Sequence, residues 1–257
     1  MKHNTYVLRI ILIVSIHIIS ANSFAQILPS YHGIHHYDDK IVTNGLTLYL
    51  DAANSSSYSG SGNTWTDLSG NNNHGTISGA TYNNTNGGNF NFDGNDKVII
   101  GNMLNNDAYT KIAWFRPESQ TYNIISGDGN SRHAFWMSNT DHTLYAGHNR
   151  NDGKGGSWEL ISNRPNPNPG NMLNQWWFGA VTFDSNNGFI LYVNGEQVNS
   201  YTGYKISPEG PGKVQIGFFC CNAYFDGDIP VVKVYNRVLS ASEILSSYRA
   251  LKSRYGH

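Results

Sequence analysis

This sequence predicts an all-β chain, an antiparallel two-sheet jelly-roll sandwich with one C-terminal helix. Three observations carry that prediction. Short apolar runs recur at near-regular spacing between clusters of Asn, Gly and Ser, with no interleaved helical pattern. Asn194-Gly195 separates two such runs, and an Asn-Gly pair favours a tight hairpin because both turn positions need positive φ. Helical spacing is convincing in one place only, where Ile244, Tyr248, Leu251 and Tyr255 line a single face near the C-terminus.

The elements follow in order. Lys2, His3 and Arg9 precede an apolar run from Ile10 to Ile19, and Ser23-Phe24-Ala25 puts small residues where a signal peptidase reads. Residues 1–25 are therefore expected to be a signal peptide. The run is short for a membrane span, and no later segment is long enough. Residues 26–44 read as a flexible leader containing Tyr31, His32, His35, His36 and Tyr37 without period. The folded domain is expected over 45–257.

Gly45 to Asp51 alternates as a strand, followed by a polar loop from Asn54 to Gly62. Phe90, Phe92 and Val98 to Ile100 bracket Asp93-Gly-Asn-Asp96, which predicts a hairpin. Thr110 to Pro117, Tyr122 to Ser126, Arg132 to Ser138, Thr143 to Gly147 and Ser157 to Ser162 continue the strands. Pro165, Pro167 and Pro169 mark an irregular connection. A double hairpin is expected from Trp176 to Val198, then strands from Lys213 to Phe219 and Ile229 to Tyr235. Ser240 and Glu243 form a capping box, Leu239 and Ile244 a hydrophobic staple, and the helix is expected from Ala241 to Arg254, with Gly256 as its stop.

Only 14% of residues are charged, against a usual share near ~25%, and the net charge is −1. Nothing there offers a phosphate-neutralising field, so nucleic acid is not an expected partner. The two cysteines, Cys220 and Cys221, are adjacent. Neighbouring strand residues face opposite ways, which makes an ordinary bridge between them poor geometry. A strained vicinal disulfide, intermolecular pairing and two free thiols all remain open.

Placed in order, these pieces resemble a laminin-G-like member of the concanavalin A-like lectin/glucanase superfamily. The matching segments are Gly45-Leu-Thr-Leu-Tyr-Leu-Asp-Ala, Trp65-Thr-Asp-Leu-Ser-Gly-Asn with His74-Gly-Thr, Phe92-Asp-Gly-Asn-Asp, Ile112-Ala-Trp-Phe, Trp177 to Asp184, Leu191-Tyr-Val-Asn-Gly195 and Phe225 to Ile244. The resemblance implies a curved jelly roll with a ligand site on its concave face or rim loops. It also implies sugar binding or adhesion without catalysis in a secreted or cell-surface protein, often with calcium. The same fold carries glucanases and polysaccharide lyases.

A glycosidase needs two carboxylates roughly 5–10 Å apart. Glu occurs only at 118, 159, 196, 209 and 243, none with an acidic neighbour two or four places away, which disfavours hydrolysis. A lyase could draw on Arg132, His133, Tyr145 and His148, but the characteristic Gln-Ile-His strand of the lyase branch is missing. The remaining alternative is a structural surface-assembly subunit without a glycan ligand. For sugar recognition, flat aromatic faces and fixed polar groups point to Trp136, Trp158, Arg132, His148 and Tyr145. In Arg132 to Trp136, alternation puts His133 and Phe135 on one face and Arg132, Ala134 and Trp136 on the other. Trp114 and one of Trp176 or Trp177 are assigned to the core. Hard cations want oxygen ligands from turns, so calcium is the expected cofactor, with Asp67 and Asp96 as its ligands.

Overall fold

The computed structural model describes residues 40–105, 107–119, 123–127, 133–138, 143–149, 158–162, 172–202, 212–219 and 222–257, with backbone only at 158–161. The expected signal peptide and most of the leader lie outside these residues, as do Cys220, Cys221 and the three prolines of the irregular connection.

The first strands are β1 (Leu46–Asp51), β2 (Thr64–Trp65), β3 (Gly75–Ser78), β4 (Thr81–Asn83), β5 (Asn89–Asp93) and β6 (Lys97–Leu104). Then come β7 (Ala108–Pro117), β8 (Asn123–Ser126), β9 (Ala134–Met137), β10 (Leu144–Asn149), β11 (Trp158–Ser162) and β12 (Trp177–Asp184). The last are β13 (Gly188–Val193), β14 (Glu196–Tyr201), β15 (Gly212–Ile216), β16 (Phe218–Phe219), β17 (Ala223–Tyr224) and β18 (Asp226–Tyr235), followed by α1 (Ala241–Arg249).

They build two eight-stranded sheets and a small hairpin. Sheet A runs β14-β13-β12-β7-β18-β5-β4, with β1 beside the second half of β18; sheet B runs β11-β10-β9-β8-β15-β6-β3-β2. All pairings are antiparallel. This is the two-sheet antiparallel sandwich that the alternation predicts.

Strand periodicity decides which residues fill the space between the sheets. Val181 and Phe183 of β12, Val232 and Val234 of β18, and Phe135 and Met137 of β9 all enter that core. Trp65 joins it, fully buried against Phe90 with ring centroids 4.7 Å apart. Two residues of opposite parity, Phe178 and Ala180, enter a second apolar layer with Ile112, Trp114, Tyr235, Leu239, Ile244 and Tyr255. That layer lies on the other side of sheet A, beneath α1. The centre of sheet A is thus buried on both faces, and β7, β12 and β18 accordingly read as almost continuous apolar runs.

The double hairpin forms as expected, with Asn194 at φ 51 and Gly195 at φ 83. Ser240 accepts from the Glu243 N–H while Glu243 Oε2 accepts from the Ser240 N–H at 2.8 Å, completing the capping box. Three local expectations are corrected. The helix ends at Arg249 rather than Arg254; Leu251 leaves helical geometry at φ −129, and Lys252–Tyr255 continues as a 3-10 turn closed by Gly256. Asp93 to Asp96 is not a hairpin turn but a corner, because β5 belongs to sheet A and β6 to sheet B. Phe92 and Val98 both point into the core, reaching it from opposite sheets. Third, the strand expected from Lys213 to Phe219 breaks at Gly217, whose φ of 75 turns Phe218 and Phe219 out into the β16–β17 hairpin.

Candidate functional site

The two sheets offer very different outer surfaces. On sheet A, Trp114 is fully buried and stacked on Tyr255 (centroids 4.3 Å) and Tyr248 (5.7 Å). The covering segment is pinned by a bidentate ion pair, Arg254 Nη1 to Asp51 Oδ1 at 2.7 Å and Nη2 to Oδ2 at 2.9 Å.

On sheet B the outward residues include Trp136 and Tyr145, directly opposite each other in the β9–β10 register. Both are half-buried, and their rings stack at 5.4 Å with an interplanar angle of 23°. Alternation explains the placement: Phe135 and Met137 point inward, which turns Trp136 out. The pair forms a flat apolar platform of the kind that packs against a sugar ring.

Asn123 sits on the other side of Trp136 in register, on β8. It is 3% exposed; its Nδ2 donates to the Ala223 carbonyl at 3.4 Å, whereas its Oδ1 has no protein partner. A buried carbonyl oxygen without a donor costs about 1–3 kcal/mol, and a sugar hydroxyl is a donor that would relieve it. The β16–β17 hairpin lies against the same strand, held by a hydrogen bond from Ser126 Oγ to the Phe218 carbonyl. Phe218 and Tyr224 form a second half-buried aromatic pair at 4.7 Å, with Lys97 Nζ 5.1 Å from the Phe218 ring. Asn123, Phe218 and Tyr224 escaped the sequence reading. The break at Gly217 was the one local signal for the hairpin, and the placement of Asn123 beside Trp136 depends on cross-strand register.

His148 does not belong to this surface. It is fully buried between the sheets, where Tyr109 Oη lies 3.1 Å from its Nδ1 and Phe183 and Phe189 close around its ring. Tyr145 and His148 are three residues apart on one strand, so period-two alternation places them on opposite faces. His133 is likewise internal. The Trp158 backbone pairs with Asn149 in the β10–β11 register; its side chain and all of Arg132 lie outside the described residues.

The expected calcium ligands have other duties. Asp67 Oδ1 accepts the Tyr49 and Ser69 N–H groups at 2.9 Å each, and Oδ2 accepts Ser69 Oγ at 2.7 Å and the Asn73 N–H at 3.0 Å. Four donors thus converge on this one carboxylate and organise the loop around it. Asp96 is 3% exposed, accepts the Asp93 N–H at 3.0 Å, and has its carboxyl pushed up by burial. Among the described residues no group of three or more His, Cys, Asp or Glu side chains converges.

Solved structures with this fold include the binding domain of Paraclostridial Mosquitocidal Protein 1, at 15% identity and TM-score 0.63, where 80% of this chain covers 52% of the other. Domain 4 of AbnA, a GH43 extracellular arabinanase from Geobacillus stearothermophilus in complex with arabinotriose, matches at 19% identity and TM-score 0.60, covering 78% of this chain and 96% of that one. A structure of botulinum neurotoxin type C, whose cell entry depends on interaction with two ganglioside molecules, matches at 15% identity and TM-score 0.60, with 82% and 52% covered. The chain spans about half the length of both toxin chains. No curated protein matches by sequence. The family profile described as concanavalin A-like lectin/glucanases superfamily, a laminin-G type, matches residues 92–245, more than half of the sequence. With the two-sheet topology already in hand, that match makes this chain a member of the concanavalin A-like lectin/glucanase superfamily.

Proposed function

We propose that this chain is a non-catalytic extracellular glycan-binding module, and that the outer face of sheet B is its binding surface. The observation that carries the reading is the stacked Trp136–Tyr145 platform, half-buried on a sheet face that α1 does not cover. Asn123 adds a buried hydrogen-bond acceptor beside it, and the Phe218–Tyr224 pair a second aromatic contact. The arabinotriose complex and the ganglioside-dependent toxin support the reading by analogy of fold. The export pattern in residues 1–25 supports an extracellular setting.

A polysaccharide lyase is the enzymatic rival. Two residues considered for its chemistry, His133 and His148, are fully enclosed between the sheets, where a polymer has no access. A structural surface-assembly role without glycan is the other alternative. One experiment separates the three: incubate the protein with a panel of insoluble and soluble polysaccharides, following retention, reducing ends and absorbance near the unsaturated-uronate band. Retention without product, lost in Trp136→Ala, is the expected result. New absorbance would establish a lyase, and neither retention nor product would leave the structural role.

A further inference from the structure

Between the sheets, behind the platform, lies a cluster that glycan binding does not use. Lys111 of β7, in sheet A, and His133, at the entry to β9 in sheet B, are both fully buried, with Nζ 2.6 Å from Nδ1. His133 Nε2 is 2.6 Å from the backbone carbonyl of Lys213 on β15. A carbonyl can only accept, so Nε2 carries the ring proton and Nδ1 accepts from Lys111. Gly127 is required alongside: a Cβ there would lie 2.4 Å from His133 Nε2 and 2.3 Å from the Lys213 oxygen. A second contact of the same kind, Tyr109 Oη to His148 Nδ1 at 3.1 Å, joins β7 to β10.

We propose that these two cross-sheet contacts, Lys111–His133 and Tyr109–His148, form a proton-sensitive latch that holds the β9–β10 pair against sheet A near neutral pH and releases it on acidification. Among the described residues, the groups that face His133 are Lys111, the Tyr109 ring at 6.5 Å, His148 and the Lys213 carbonyl. Phe183 of β12 packs against both Tyr109 and His148, and Phe189 of β13 against His148. Among the described residues no carboxylate contacts Lys111 or His133, so an added proton meets no counter-charge. A proton on Nδ1 would also abolish the acceptor that Lys111 uses at 2.6 Å and leave a buried charge that is not paired with an anion.

Burial lowers the pKa of Lys111 well below the ordinary lysine value, and burial plus the nearby Lys111 does the same for His133. The sign follows. The unfolded chain takes up protons that the folded chain refuses, below pH 10.5 at Lys111 and below pH 6.5 at His133. Stability therefore falls as pH falls through the histidine range. Trp136 stands three residues beyond His133 on β9, and Tyr145 three before His148 on β10, so opening the latch would disperse the platform. This last link, to ligand release, rests on the glycan-binding reading.

The test is thermal melting of the full chain at pH 8, 7, 6 and 5, with Lys111→Met and His133→Gln beside the wild type. The wild-type melting temperature should fall by about 5–10 °C between pH 7 and 5, and both variants should flatten that slope. Hydrogen exchange on the wild type covers the case in which a variant fails to fold. Once corrected for the intrinsic rate, protection at 134–137 and 144–149 should drop about tenfold at pH 5 while β12 and β13 hold. An unchanged wild-type melt, variants that keep the wild-type slope, or a loss of protection spread evenly over all strands would overturn the latch. Neither readout needs a glycan, so a latch that opens in a protein retaining no polysaccharide refutes the binding reading and leaves the latch standing.

Discussion

Trp114 and Trp136 occupy equivalent situations in local sequence, each on a strand with apolar neighbours on both sides, and they meet opposite fates. Trp114, on the outer face of sheet A, is sealed beneath α1 and the 3-10 turn, stacked on Tyr248 and Tyr255. Trp136, on the outer face of sheet B, is half-buried against Tyr145. A jelly roll has two such outer faces, and the C-terminal segment can cover only one. The difference teaches that an aromatic residue becomes core or ligand surface according to what the rest of the chain lays over its sheet.

The strongest way to break this comparison is to truncate both rings. Trp114→Ala should cost about 3–5 kcal/mol, as for other fully buried aromatic residues, and lower the melting temperature without touching the platform. Trp136→Ala should cost about 1 kcal/mol or less and abolish polysaccharide retention. Equal destabilisation by the two variants in chemical denaturation would erase the distinction between the faces.

Asp67 sharpens the comparison, since it ties β1 of the covered sheet to the loop between β2 and β3. Asp67→Ala orphans the Tyr49, Ser69 and Asn73 donors and should destabilise by about 2–3 kcal/mol. A chelator-induced drop in the wild-type melting temperature would place calcium in this loop, and an unchanged melt would leave Asp67 to its hydrogen bonds alone.

Lys233 tests the covered face by pH. It is buried beside the Tyr49 ring, and burial pulls its pKa down from 10.5 to about 8, partly countered by Asp51. The charged form is penalised in full below about pH 8, and the penalty is relieved as pH rises to the unfolded value. Denaturation midpoints of the wild type should thus rise between pH 8 and 10 relative to Lys233→Met. Parallel curves would mean that water reaches this lysine and that the face is less sealed than its packing implies.

The smallest expected effect is at the helix cap. Ser240→Ala should cost about 1 kcal/mol, read in the same denaturation series, with retention on glycan unchanged. Glu243, held down to about 2 by the Arg237 guanidinium, should keep its contribution until pH falls from 4.5 through that value.

Much of the fold was legible because its signals are local. The capping box at Ser240 and Glu243, the staple of Leu239 with Ile244, and the Asn194-Gly195 turn are each set by a few adjacent residues. Where the reading went astray, the deciding contact was distant. The turn at Asp93 to Asp96 has hairpin residues, yet β5 pairs with β18 and β4 while β6 pairs with β15 and β3, so it is a corner between the sheets. Of the candidate site, Trp136 and Tyr145 were found because aromatic residues on alternating strands stand out. His148 could have been excluded by counting parity from Tyr145. Asn123, Phe218 and Tyr224 carry no such mark.

By itself the sequence determined a sandwich with one terminal helix, since alternation, turn residues and caps act over a handful of positions. It also determined superfamily membership through an ordered series of short segments. Only the tertiary structure decided which outer face α1 would bury, which strands would place Asn123 beside Trp136, and that Lys111 would meet His133 across the core. Those pairings join residues that are remote in sequence or set by cross-strand register, and register is fixed by the fit of both sheets around one core, a property no single segment contains.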